Sequence, residues 1–155
     1  DVVADFLFKA NESNTNIVLP EDCVVTDDIK NCSNISVSQI DKISNKYQGV
    51  DIGPKTINLF EKHILDSKLI MWNGPMGIAE VEEFSHGTKT IATLIVRATN
   101  LGTYSLIGGG DTVSDVARFG LKDQFSYVST GGGAMLEFFK NNYLEPTLNL
   151  LTINK

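Results

Sequence analysis

The stretch Tyr104-Ser105-Leu106-Ile107-Gly108-Gly109-Gly110-Asp111-Thr112 decides how this chain folds. Residues of strand character run directly into three glycines, and Val113 to Phe119 then follow a helical period. The same unit occurs twice more. Leu69-Ile70-Met71-Trp72, an apolar run of the kind covered on both faces, breaks sharply at Asn73-Gly74-Pro75-Met76-Gly77. Phe125-Ser126-Tyr127-Val128-Ser129 leads into Thr130-Gly131-Gly132-Gly133 and a helix through Ala134 to Lys140. Strands alternating with helices predict an α/β protein built on a three-layer, open parallel sheet.

Working outward, Val2, Val3, Phe6, Leu7 and Ala10 share one helical face. Ile17-Val18-Leu19 reads as a short strand stopped by Pro20. Residues 21–48 are polar and irregular, and predict an edge hairpin or loop excursion. Val50-Asp51-Ile52-Gly53-Pro54 reads as a strand end and turn, with Pro54 suited to a first helical turn. Ile57, Phe60, Ile64 and Leu65 form the stripe of that helix. Ile91, Leu94, Ile95 and Ala98 mark another between Phe84 and Thr99. Residues 141–155 are expected to be an irregular C-terminal tail. The chain opens on Asp1-Val2-Val3 with neither Met nor a basic leader, and is expected to be a fragment.

Composition narrows the function. With 155 residues, 42% hydrophobic and 21% charged, the chain can bury a core without staples. A net charge of −6 disfavours a nucleic-acid partner, whose grip rests on Lys and Arg. It leaves nucleotide ligands open, because backbone amides and a metal hold phosphates without net positive charge. There is no apolar run of about 18 residues, so no membrane partner is expected. Cys23 and Cys32 lack the companions of a zinc site and read as free thiols in a reducing compartment. The sequons at Asn11, Asn31 and Asn34 stand without a secretory signal and carry no glycosylation argument.

In an open parallel sheet, ligands bind at the carboxyl ends of the strands. The three glycine loops, 73–77, 108–112 and 131–133, fall on that edge. Glycines let backbone amides approach a phosphate, and a helix N-terminus adds partial positive charge. One glycine turn reads as a tight connection and nothing more, whereas three on one edge predict a phosphate site. Neither G-x-x-x-x-G-K-[ST] nor G-x-G-x-x-G is present; Gly87-Thr88-Lys89-Thr90 lacks the required order. Asp111 suits Mg²⁺ through oxygen ligation, or caps a helix; the two roles are compatible. Thr112 caps or donates to a phosphate. Glu80 either accepts ribose hydroxyls or is a favourable anion in a helical first turn. His63 and His86 have no Ser or Cys nucleophile beside them and read as solvated surface residues, and Trp72 reads as core.

Trp72-Asn73-Gly74-Pro75-Met76-Gly77-Ile78-Ala79-Glu80, Gly108-Gly109-Gly110-Asp111-Thr112 and Ser129-Thr130-Gly131-Gly132-Gly133-Ala134 with Leu136-Glu137 together closely resemble phosphoglycerate kinase. Leu19-Pro20-x-Asp22 and Gly49-Val50-Asp51-Ile52-Gly53-Pro54 fit as well, so the likeness covers residues 1–140. Such enzymes are two-domain hinge kinases. The resemblance implies that residues 1–155 are a portion of the C-terminal, Rossmann-like nucleotide-binding domain. It further implies a glycolytic phosphotransferase that moves phosphate between 1,3-bisphosphoglycerate and ADP, giving 3-phosphoglycerate and ATP, as a cytoplasmic monomer. An organelle form would carry a targeting segment upstream.

By the same resemblance, Gly49, Val50 and Ile78 flank adenine, Asn73 and Pro75 lie near the nucleotide, and Glu80 holds the ribose. Gly109, Gly110, Asp111 and Thr112 meet the phosphates, with Asp111 on Mg²⁺. Gly132 and Gly133 stabilise the transferring phosphoryl group, the charge-positioning task such a reaction requires. The family's basic substrate site and its Gly-Ala-Lys motif have no counterpart in this sequence, so these residues alone are expected to be inactive. Ala79 replaces a bulky aromatic, implying looser packing beside adenine. Tyr127 replaces a common His, and Tyr143-Leu144-Glu145-Pro146 departs from a Leu-Pro-Gly ending. The alternative is a non-catalytic nucleotide-binding or interaction module from a truncated paralogue. A generic dinucleotide enzyme is disfavoured by the missing fingerprint.

Overall fold

The computed structural model describes residues 2–141. Chain order is α1 (Val2–Glu12), β1 (Asp22–Thr26), β2 (Ser36–Gln39), β3 (Gln48–Ile52), α2 (Pro54–Asp66), β4 (Leu69–Asn73), α3 (His86–Asn100), β5 (Tyr104–Gly108), α4 (Gly110–Arg118), β6 (Tyr127–Ser129) and α5 (Gly132–Asn141). The parallel sheet has the order β4-β5-β6. It pairs Leu69 with Tyr104 through to Asn73 with Gly108, and Gly108 in turn with Ser129. The three strand ends are therefore level. Helix α3 buries Ile91, Leu94, Ile95 and Ala98, the stripe legible in the sequence. Ile91, Leu94 and Ile95 pack with Ile52, Trp72, Ile107, Val116 and Phe125 into one core.

The irregular stretch 21–48 forms part of a second, antiparallel sheet of order β2-β1-β3. The short connection between β1 and β2 cannot carry a crossover helix, so the strands pair as a hairpin, as expected. Two expectations fail. Residues 17–19 form no strand, because among the described residues no neighbour pairs with them. Strand β4 is not covered on both faces. Among the described residues it is an edge strand, and Leu69 and Met71 are exposed while Trp72 is buried. Helix α1 forms as its helical face suggested; it buries Ala10 and leaves Val2, Val3, Phe6 and Leu7 in solvent. The expected tail, 141–155, lies outside the described residues beyond Asn141.

A buried carboxylate ties the antiparallel sheet to α2. Pro54 opens this helix, and its N-cap, Gly53, has no side chain to satisfy the exposed amides. Asp22 on β1 does so from a distance. Its carboxylate accepts from Thr56 N at 2.8 Å, Thr56 Oγ1 at 2.8 Å and Lys55 N at 3.1 Å. Gly53 is the residue that fits, because a Cβ there would overlap the carboxyl group. Burial alone would raise the Asp22 pKa, but the bonds from Thr56 and Lys55 hold it below the ordinary carboxylate range. Its stabilising contribution is therefore complete above the unfolded-state value and is lost as pH falls through the native one. Asp22→Ala should cost about 2–4 kcal/mol of unfolding free energy at neutral pH. It should also flatten the acid limb of stability against pH in denaturant titrations.

Candidate functional site

The level strand ends place the three glycine loops side by side. Gly108 ends β5, and Gly109 follows with φ +95°, a conformation open chiefly to glycine. Helix α4 starts earlier than the sequence suggests, because Val113 N already donates to Gly109 O at 2.9 Å. Gly109 is thus the N-cap, and Asp111 lies exposed in the first turn rather than capping it. An anion there is favoured by the helix dipole. Helix α5 starts at Gly132, one loop away.

The second and third loops touch backbone to backbone. A Cβ on Gly132 would overlap Gly109 N, and one on Gly108 would overlap the Met135 thioether. Gly110 and Gly133 are different, since a Cβ on either would meet nothing within 4 Å. The buried glycines bring two helix N-termini together, and the open ones leave their amide surface reachable. Gly109, Gly110, Asp111, Gly132 and Gly133 thus gather on one edge. Asn73 joins them, its Oδ1 being 2.8 Å from where a Gly109 Cβ would stand.

The first loop is pinned from three elements. Gly74 N donates to Thr112 Oγ1 at 2.8 Å, Met76 N to Thr88 Oγ1 at 3.0 Å, and Ile78 N to Val50 O at 2.9 Å. Arg118 of α4 donates to Ala79 O and to Asp115. Thr112 is fully buried and its oxygen serves this loop, so its main task is to clamp rather than to cap. Pro75 is partly buried within the pinned segment. Glu80 is exposed in the turn beyond it, and not in a helical first turn: a short 3₁₀ segment, Glu82–Phe84, intervenes before α3.

Gly49, Val50 and Ile78 come together elsewhere, in a groove of about 400 Å³ lined also by Cys23, Ile40 and Met76. Ala79 does not line it. Its side chain is fully buried, so the small residue there does not widen the groove directly. His63 and His86 are exposed, and Trp72 is core, as read from the sequence.

The sequence reading passed over Asp51, which is 5% exposed. It accepts from Gly87 N at 2.6 Å and from its neighbour Ile52 N at 2.8 Å. Burial pushes its carboxyl above the ordinary range, against the pull of these two amides and of the His86 charge. The available signal was a carboxylate inside the apolar run Val50–Ile52. Thr88 and Arg118 were also missed; both act across long stretches of sequence, which no local pattern encodes.

An α/β unit whose parallel sheet carries glycine loops at its carboxyl edge belongs to the class that binds ligands at that edge. Comparison with known proteins sharpens this. The family model for phosphoglycerate kinase matches residues 1–142. A phosphoglycerate kinase of Thermosipho africanus is 46% identical over 145 residues, covering 93% of this chain and 36% of its own length. The phosphoglycerate kinase structure from Coxiella burnetii superposes with a TM-score of 0.82 at 40% identity, over 89% of this chain and 35% of that one. That from Pyrococcus horikoshii gives 0.75 at 30% identity, over 97% and 37%. The chain belongs to the phosphoglycerate kinase family, and spans about a third of the length of these relatives.

The clamp can be tested apart from any ligand. Thr112→Val keeps the shape but removes the acceptor for Gly74 N, and should cost about 1–3 kcal/mol of stability in chemical denaturation. Gly132→Ala should be worse, because Gly109 backbone must move to admit the methyl group.

Proposed function

We propose that this chain supplies the nucleotide-binding part of a phosphoglycerate kinase that passes a phosphoryl group between 1,3-bisphosphoglycerate and ADP. The observation that carries the reading is the pair of glycine loops packed together by Gly108 and Gly132, with Gly110 and Gly133 open at two helix N-termini. Such an edge offers backbone N–H groups and two helix dipoles to one anionic chain, which suits a polyphosphate despite the protein's net negative charge.

The roles are those that the family likeness implies. Gly109 and Gly110 lie along the nucleotide phosphates, with Thr112 behind them holding the first loop in place. Gly132 and Gly133 face the phosphoryl group in transit, where fixed amides stabilise charge with no covalent intermediate. Gly49, Val50 and Ile78 hold the base in the apolar groove, Glu80 takes the ribose hydroxyls, and Asn73 and Pro75 border the bound nucleotide. The residues also fit Mg²⁺. Asp111 presents one exposed carboxylate beside the phosphate position. Among the described residues no set of three or more His, Cys, Asp or Glu side chains converges to hold a metal by itself. One carboxylate, phosphate oxygens and water form the usual Mg²⁺ shell. When bound, Mg²⁺ neutralises phosphate charge and fixes the phosphate conformation.

The substrate acid would be held by other parts of the enzyme, so residues 1–155 alone should show no ATP formation in a coupled assay. We place the activity in the cytoplasm and in a monomer. Calorimetric titration of the full-length enzyme tests the metal assignment. Asp111→Ala should weaken Mg-ADP binding roughly tenfold or more, and leave metal-free ADP binding nearly unchanged. Equal Mg²⁺ dependence in variant and parent would refute the role of Asp111.

A further inference from the structure

The buried Asp51 carboxylate sits where three elements meet. Its Oδ2 accepts from Gly87 N, in the first turn of α3, at 2.6 Å. Its Oδ1 accepts from Ile52 N and lies against Gly77, where a Cβ would stand 2.6 Å away. The same Cβ would be 2.6 Å from Val50 O, which accepts from Ile78 N at 2.9 Å. Val50, Ile78 and Asp51 all line the apolar groove.

We infer that Asp51 is a positioning residue for the nucleobase: by holding the start of α3 and packing closely on Gly77, it sets how Val50 and Ile78 are aligned in the groove. The inference rests on the nucleotide reading given above. Asp51 touches no reacting atom and acts through the walls it aligns. A doubly accepting carboxylate holds two N–H donors best when ionised, since a proton on either oxygen competes with one of them. Burial raises its titration above the ordinary carboxylate range.

The surroundings are sparse in charge. His86 is the titratable group that faces it from α3 and favours the ionised form. From β1, Val24 is its register partner, with Cys23 and Asp22 farther along that strand and Asp22 committed to Thr56 and Lys55. The segment Gly74–Ile78 carries no ionisable side chain.

The test compares ADP with inorganic tripolyphosphate, which offers phosphates but no base, on the full-length enzyme. Asp51→Asn should weaken ADP roughly tenfold and leave tripolyphosphate within about twofold, the scale of one charge-assisted hydrogen bond acting on the base alone. As pH falls through the raised titration of Asp51, wild-type ADP affinity should fall relative to the variant, because the variant cannot titrate at this position. Gly77→Ala keeps the carboxylate but wedges the same seam, and should reproduce the ADP-selective loss. Unchanged ADP affinity in Gly77→Ala, equal losses for both ligands, or identical pH profiles in wild type and Asp51→Asn would each overturn the inference. A wild type that binds no ADP would instead remove the nucleotide reading itself.

Discussion

The close approach of the Gly108–Gly109 backbone to Gly132 is the constraint on which the site depends. Parallel register brings Asn73, Gly108 and Ser129 level, but level strand ends alone would leave the following loops separated by their side chains. Missing Cβ atoms close that gap. Two helices then begin almost in contact, each with unpaired N–H groups that need partners. Water supplies those partners in the free protein, and an anion supplies better ones. The glycines divide the labour: the buried ones join the loops, and the open ones leave a surface for a ligand.

Around this edge the chain uses two buried carboxylates in opposite electrostatic conditions. Asp22 receives enough hydrogen bonds to remain ionised more readily than a free carboxylate. Asp51 receives fewer, and burial prevails over them. Both join an antiparallel strand to the start of a helix, Asp22 to α2 and Asp51 to α3. The antiparallel sheet thereby becomes one wall of a groove whose other wall is the loop after β4. One junction serves stability at all but acidic pH, while the other leaves a charge under tension beside the groove.

Much of this was legible along the chain. The three strand–glycine–helix units are local patterns, and each falls where the sequence suggested. Pro54 marked the start of α2 for the same reason. What escaped the reading is what distance hides. Asp22 meets Thr56, Asp51 meets Gly87, and Arg118 meets Ala79, each pair more than thirty residues apart. The exposure of Leu69 and Met71 escaped too, because an apolar run shows what a strand tolerates and not what covers it. Asp111 was found as a residue and misplaced as a cap, since φ at Gly109 lets the helix begin one turn early.

Trp72 stands at the end of β4, immediately before the pinned loop, and it is the chain's single tryptophan. It is 5% exposed, and its indole Nε1 is buried with no hydrogen-bond partner among the described residues. An indole so enclosed emits toward the blue, and the covalent bond to Asn73 makes its environment follow that loop. The molecule thus carries its own optical reporter at the rim of the site, with no second tryptophan in this chain to obscure it.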